Sequence, residues 1–412
     1  MRILHINHSD SVGGAAIASL RISESLSKMG VVSNRLVRLK IGKNPNVYEM
    51  INKPFGRLIN IIRWRFGYLI CYIFNQSKDA TNSLNVIPSF ITRKINNLKP
   101  DIVHLHWIGH ETLSFGSISK ITQPIVWTMH DLWPISGAEH ISFNQDYLNG
   151  YKRKTRRIFQ SNHLNKWVLN RKRKLYNKKK IFMASPSTWL AKKVKESSIF
   201  NDLTIKVIPN PLDTNFWIPI NKEDARKQLK LPINKKIILF GLYGDIHVKH
   251  KGFDLLVDAF SELKYDKSKI LIVTFGGENQ KSLKPLGFET HNFGFISENK
   301  LMRNIYSAAD VYVMPSRIES FGQTAAESSA CGTPVVAFND TGVADIVQHK
   351  KTGWLAKYKD TSDLSRGIDF LLENSSLDLF SKNARTYIVN NFSYPVVANQ
   401  YLDYYRYIFS KN

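Results

Sequence analysis

The chain has 412 residues, 43% of them apolar and 22% charged, enough for about two cored domains and incompatible with a disordered chain. Its two cysteines, Cys71 and Cys331, exclude a disulfide framework and a cysteine-based metal site, and they fit a reducing compartment. The balance of 58 basic against 33 acidic residues, +25 in all, makes polyanions the expected partners, either an anionic leaflet or nucleic acid.

Met1 leads directly into the strand pattern RILHIN, with no basic head, long apolar run or small-residue cleavage site of a secretory signal ahead of it. HSDSVGGAA supplies a glycine loop, and a helix is expected over 15–29, stopped by Gly30. Further strands are expected at SNRLVRL, DIVHLHW, PIVWTMH, IFMASP and TIKVIP. PFGRLINIIRWRFGYLICYIFNQ (54–76) mixes aromatic, aliphatic and arginine side chains. Its most apolar part, FGYLICYIF, falls short of the ~20 residues a bilayer span needs. The segment fits an interfacial helix and a core helix with exposed cations equally well. Residues 151–180 hold 13 basic side chains and no acid, either a polyanion-seeking surface or a solvated helix face. VIPNPLDTNFWIP (207–219), with Pro209, Pro211 and Pro219, has the composition of a hinge. Beyond it come the strands KKIILFG, KILIVTFGG, THNFGFI, DVYVMPS and TPVVAFN, and a closing helical, aromatic segment, SYPVVANQYLDYYRYIFSKN. Strand runs alternating with helical patterns predict an α/β chain of two doubly wound domains. Ligands of such sheets gather beyond the carboxyl ends of the strands.

PSRIESFGQTAAESSACGTPVV (315–336) is the most informative stretch. Glu319 and Glu327 are separated by seven residues. DVYVMPS predicts a buried strand ending near Pro315, and a helix should start near Phe321 or Gly322 and run to about Cys331, with Gly332 ending it. Glu319 then falls in the turn, beside the free N–H groups of Gly322, Gln323 and Thr324, and such a helix start attracts anions. Glu327 falls nearly two turns along, among small residues that imply close packing. A carboxylate there needs partners, and a sugar diol offers two donors to its two oxygens. A helix-start acid and an exposed helix glutamate are the plainer readings of the same two residues.

This stretch resembles the signature of the family 4 retaining glycosyltransferases, Glu, seven residues, Glu, here as ESFGQTAAE followed by CGTPVVA. The resemblance extends through YSAADVYVMPSRIESFG, NDTGVADIVQHKKTGWL, HKGFDLLVDAF, VIPNPLDTNFW, WTMHDLWPISG and HSDSVGGAA, more loosely over 40–95 and 140–180. It implies the GT-B fold: two Rossmann-like domains facing across a cleft, residues 1–208 as the acceptor-binding domain and 209–392 as the nucleotide-sugar domain. Residues 393–412 would cross back to complete the first. It implies a retaining, metal-independent hexosyltransferase that takes a nucleotide sugar as donor and a saccharide or lipid-linked saccharide as acceptor, in bacterial surface polysaccharide synthesis. It also implies roles. Glu319 lies against the transferred sugar and Lys251 is the diphosphate cation. His130 hydrogen-bonds the donor sugar, and Glu327 holds the ribose hydroxyls. The Phe321 and Gly322 amides, with the helix start at Gln323, meet sugar and diphosphate, and Gly13 and Gly14 let a loop close over the diphosphate. No cofactor is implied, and the absence of any Asp-x-Asp agrees with a site without metal. One departure stands out: the family's Gly-Arg becomes Gly241-Leu242, so Lys249 or His250 would have to supply the missing charge, or the chain would be a weak transferase.

His104 and His106 alternate along one expected strand and fit satisfied core histidines better than a metal pair. The basic stretches point to a cytoplasmic protein held peripherally at the inner face of the membrane, with nucleic acid not expected as a partner. Three other functions compete. A nicotinamide dehydrogenase lacks G-x-G-x-x-G in SVGGAA and an acid over 25–48. A basic membrane- or nucleic-acid-binding module leaves Glu319 and Glu327 unused. A GT-B protein with phosphorylase or lost activity keeps the fold alone.

Overall fold

The computed structural model describes residues 1–51, 55–74, 81–152, 160–199, 205–241, 248–277 and 283–411, with only the backbone of Phe55, Arg57 and Lys284. The chain forms two compact units, Met1–Pro211 with Tyr394–Asn412, and Leu212–Ser393. The first crossing falls inside the proline-rich stretch 207–219, and the second just ahead of the aromatic C-terminal segment.

The first unit is built on seven parallel strands: β1 Arg2–Ser9, β2 Val32–Leu39, β3 Val47–Glu49, β4 Ile102–Leu105, β5 Ile125–Thr128, β6 Ile181–Ser185 and β7 Ile205–Val207. Their order is β3-β2-β1-β4-β5-β6-β7. β4, β5 and β6 are buried along their whole length, as strands covered by helices on both faces must be. The order reverses between β1 and β4, which pair with Ile3 beside Ile102 and His5 beside His104. The C-terminal helix Tyr394–Ser410 closes one face of this sheet. Val397, Tyr401, Tyr405 and Ile408 pack with Ile3, Ile22 and Ile102 in one apolar cluster.

The second unit holds six parallel strands: β8 Lys236–Gly241, β9 Ile270–Phe275, β10 Glu289–Asn292, β11 Val311–Met314, β12 Val335–Phe338 and β13 Gly353–Ala356. Their order is β10-β9-β8-β11-β12-β13, reversing between β8 and β11. Apolar clusters lie on the two faces of the sheet. One gathers around Leu239, Tyr306 and Ala325. The other gathers around Ile238 and Phe260, and the helix Thr361–Glu373 adds Leu364, Ile368 and Leu371 to it from its buried face.

All the strands expected from the sequence are present, and β3 and β13 are additions. β3 has three residues and sits at a sheet edge, too short to show a period. β13 opens on Gly353, where a Cβ would stand 2.1 Å from the Val335 carbonyl oxygen, so close backbone approach rather than strand propensity selects the residue.

Among the described residues no helix is long and apolar enough to cross a membrane. The basic stretch 151–180 is not one solvated face. Residues 153–159, with four of its cations, lie outside the described residues. In the helix Ser161–Lys178, Lys172 is fully buried. Its ammonium donates to the carbonyls of Trp133, Ser136 (3.0 Å) and Gly137 (2.7 Å) and lies 4.0 Å from the Trp133 ring centre. Burial lowers the Lys172 pKa, and Asp131 and Glu139 oppose that. Three carbonyl acceptors call for three N–H donors, which only the charged form has.

Candidate active site

In the second unit the loops after β8 and β11 leave the sheet where its order reverses, the place where open parallel sheets bind ligands. The loop after β8 ends in a short turn, Lys249–Lys251, which leads into the helix Phe253–Ser261. After β11 the chain passes through Pro315–Phe321 into the helix Gln323–Ala330. The two loops are fastened to each other. The backbone N–H groups of Arg317 and Ile318 donate to the His250 carbonyl at 2.8 and 3.3 Å. The Arg317 guanidinium grips both carboxylate oxygens of Asp254, at 2.6 and 2.5 Å, and donates to the Lys249 carbonyl at 2.9 Å. A bidentate pair of this kind fixes direction as well as distance.

Held by this frame, Lys251 Nζ lies 2.9 Å from Glu319 Oε2, both side chains partly open to solvent. Glu319 is fixed from behind as well, because its carbonyl accepts from the Gly342 N–H at 2.7 Å. Gly322 caps the helix with φ 97°, and a Cβ there would stand 2.8 Å from Val343 Cγ2. That backbone shape and the lack of room both select glycine. The Phe321 side chain is buried and packs on Phe392, with ring centres 5.8 Å apart, so only its backbone faces the turn. Gln323 opens the helix. Glu327 is 8% exposed and accepts from the Tyr306 hydroxyl at 3.1 Å. Lys249 shares the turn with Lys251 and is exposed. Burial, and secondarily the Lys251 charge, lower the His250 pKa to about 4, so the ring is neutral at neutral pH. Leu242 lies outside the described residues.

In the first unit, Gly13 (φ 89°) caps the helix Gly14–Lys28 just beyond β1, with open space where a Cβ would be. His130 follows β5 and heads a row of imidazoles. His130 Nε2 lies 3.0 Å from His106 Nδ1, and His106 Nε2 lies 2.9 Å from His5 Nδ1. Beside them, His104 meets Tyr405 Oη and Thr128 Oγ1, both at 2.7 Å. Burial lowers the His130 pKa to about 4, against the pull of Asp131. His5, His104 and His106 bring ligand atoms within 4.8 Å of one another. All of their ring nitrogens except His5 Nε2 already face protein partners, the arrangement of satisfied core histidines.

The structure thus brings Glu319, Lys251, Gly322 and the start of the 323–330 helix to one place. It sets Glu327 deeper, against Tyr306, and it places Gly13, Gly14 and His130 in the other unit. Arg317 and Asp254 stand inside the motifs PSRIESFG and HKGFD, yet nothing in either motif marks them as functional. Their partnership spans 63 positions and has no local signature.

Residues 221–387, most of the second unit, match the family model Glycosyl transferases group 1. An uncharacterized glycosyltransferase of Methanocaldococcus jannaschii is 27% identical over 232 residues, 53% of this chain and 58% of that protein. A D-inositol 3-phosphate glycosyltransferase of Xylanimonas cellulosilytica is 33% identical over 172 residues, 38% of this chain and 40% of that protein. The matches therefore span about half the length of these curated relatives. Solved structures align over nearly the whole chain. A sucrose-phosphate synthase from Thermosynechococcus elongatus gives a TM-score of 0.69 at 17% identity, covering 100% of both chains. Anabaena HepE in complex with UDP-glucose gives 0.65 at 17% identity, covering 98% of both. At these identities the likeness is one of fold, and it is the GT-B fold expected from the sequence.

Proposed function

We propose that this chain is a retaining, metal-independent glycosyltransferase of family 4, which moves a sugar from a nucleotide sugar to a saccharide or lipid-linked saccharide acceptor. The observation that carries the reading is the Lys251–Glu319 pair at 2.9 Å, set on the two loops of the sheet's reversal point beside a glycine-capped helix start. The second unit would bind the donor and the first unit the acceptor.

The chemistry follows from the charges. As the glycosidic bond breaks, negative charge gathers on the departing diphosphate. Lys251 and the amides at Phe321, Gly322 and Gln323 supply positive potential where that charge develops, worth ~3 kcal/mol per donor in comparable sites. Without the diphosphate, Lys251 rests on Glu319. With it, the ammonium turns to phosphate oxygen and frees Glu319 for the sugar hydroxyls. His130, neutral at neutral pH, keeps Nε2 on His106 and would offer its Nδ1 to the sugar, as donor or acceptor according to the tautomer. Retention is met when the acceptor hydroxyl attacks on the face the diphosphate leaves, with a diphosphate oxygen taking the proton. Glu327, braced by the Tyr306 hydroxyl, would hold the ribose hydroxyls, and Gly13 and Gly14 would let their loop approach the diphosphate.

The test is a screen of nucleotide sugars for thermal stabilisation, followed by mass analysis of products with lipid-linked acceptors. A stabilising donor whose turnover is lost in Glu319→Gln and Lys251→Met supports the reading. Transfer that survives both substitutions removes it. We place the enzyme in surface polysaccharide synthesis, cytoplasmic and peripheral at the inner face of the membrane, on the strength of its positive charge and the resemblance.

A further inference from the structure

The helix Phe55–Ile73 is built inside out. Its inward face holds Gly56, Arg63, Gly67 and Cys71, all buried. Ten large apolar side chains between 58 and 73 are 41–60% exposed, among them Ile62, Trp64, Phe66, Tyr68, Leu69 and Tyr72. A helix made for a core turns those residues inward, and soluble monomers keep exposed apolar patches to roughly a few hundred Å².

The inward face explains the inversion. Arg63 Nη2 donates to the Ile87 carbonyl at 3.0 Å. Arg38 donates both to the Asn60 carbonyl of this helix and to the His110 carbonyl. At Gly67, a Cβ would stand 3.2 Å from Glu111 Cγ. Glu111 is buried and accepts from the Asn85 N–H at 2.5 Å and the Ile87 N–H at 3.2 Å. The helix is therefore anchored by polar bonds to Ile87 and to Arg38 of β2, and by a close glycine contact to the loop after β4. In that loop, His110 and Glu111 both adopt left-handed backbone, φ 53° and 57°. The same loop begins at His106, the neighbour of His130.

We propose that the helix Phe55–Ile73 seats the first unit on an anionic lipid surface, its outward apolar arc lying in the interface. Charge and composition choose this occupant. Residues 50–77 contain no Asp or Glu, and besides the inward Arg63 they carry Lys53, Arg57 and Arg65; Arg65 is exposed among the apolar side chains. The apolar residues cover most of the outward circumference rather than the single stripe a protein groove reads. Trp64, Tyr68 and Tyr72 are the side chains favoured at the headgroup boundary. The consequence for substrate, which rests on the transferase reading, is that the acceptor is lipid-linked and reaches the loop 106–113 from the bilayer side.

The test is flotation of the full chain with phosphatidylcholine vesicles containing about one third phosphatidylglycerol. The wild type should float, and its partitioning should weaken with salt yet persist, because part of the attraction is apolar. The exposed-face variant Ile62→Ser, Phe66→Ser, Leu69→Ser should keep the wild-type melting temperature and partition about a hundredfold more weakly. Arg65→Glu should lose the preference for anionic over neutral vesicles. Failure of the wild type to float at low salt overturns the proposal, as does wild-type flotation by the triple variant. So does a wild-type dimer that the triple variant turns into a monomer, which would make the face a subunit contact. Donor-induced thermal stabilisation of the same proteins, measured without vesicles, separates the two readings. Flotation without any donor effect sinks the transferase alone, and a donor effect without flotation sinks the lipid seat alone.

Discussion

Lys251 and Glu319 neutralise each other at 2.9 Å, and in the proposed reading Glu319 holds the place on Lys251 that the donor's diphosphate would take. Glu319 was legible in ESFG because spacing from a strand end puts it in the turn at the sheet's edge, whereas Lys251 in HKGFD was assigned by the resemblance alone. Arg317 is different. It touches no reacting atom and acts by holding the loop of Lys251 to that of Glu319 through Asp254 and the Lys249 carbonyl. Arg317→Lys keeps the charge and loses the two-pronged grip, so donor KM should rise about tenfold while the melting temperature barely moves. Equal steady-state constants would show that the loops hold without it. Replacing Lys249 by Ala should lower donor affinity about tenfold only if it stands in for the absent arginine. Lys172 shows why a cation count misleads. It reads as surface charge in sequence, yet it closes three carbonyls in the core. Lys172→Met should cost about 3 kcal/mol or more by orphaning those acceptors, measured by denaturant unfolding, and a stability loss below about 1 kcal/mol would argue against a buried ammonium.

Among elements, the helix Gln323–Ala330 has the limits its sequence predicts, since Gly322 and Gly332, with φ 97° and 80°, punctuate it. Gly322→Ala puts a methyl 2.8 Å from Val343 Cγ2 on a backbone that disfavours it. A loss of about 1–3 kcal/mol is expected, with a larger relative loss of donor binding because the helix start shifts. Calorimetry alongside donor titration checks both. The C-terminal helix Tyr394–Ser410 is legible as a helix, but nothing local says which sheet it covers, and only the resemblance assigned it to the first unit. There, Tyr404 donates to the Met183 carbonyl at 2.8 Å, and the Tyr405 hydroxyl meets His104 at 2.7 Å. Truncation before Tyr394 should therefore unfold the first unit, and a soluble, cooperatively melting fragment 1–393 would contradict this. The helix Phe55–Ile73 is undecided in sequence because its composition suits core and interface alike. Only the partners of Arg63 and Gly67 reveal which side faces in.

At the scale of the molecule, buried and partly buried histidines set an acid limit. Burial, the first cause in each case, lowers His5 and His8 to about 3 and His110, His130 and His250 to about 4. Unfolded, each titrates at about 6.5. Below that pH the unfolded chain binds protons that the native state refuses. Their contribution is therefore intact above about pH 7 and declines as pH falls from about 6.5 toward 4. Each histidine costs up to ~1.4 kcal/mol per pH unit across that window. The melting temperature should fall steeply between about pH 6.5 and 5, before most carboxylates titrate. A flat profile there would mean that these rings protonate in the native state. The sequence by itself determined the alternation of strands and helices, the two-unit division and the glycine-capped turn that carries Glu319, because period, turn chemistry and strand-end spacing are local properties. The tertiary structure decided the rest: the grip of Arg317, the core post of Lys172, the row of histidines and the outward apolar face of the helix Phe55–Ile73. Each depends on which distant segments share a sheet edge, and no local pattern of residues encodes that.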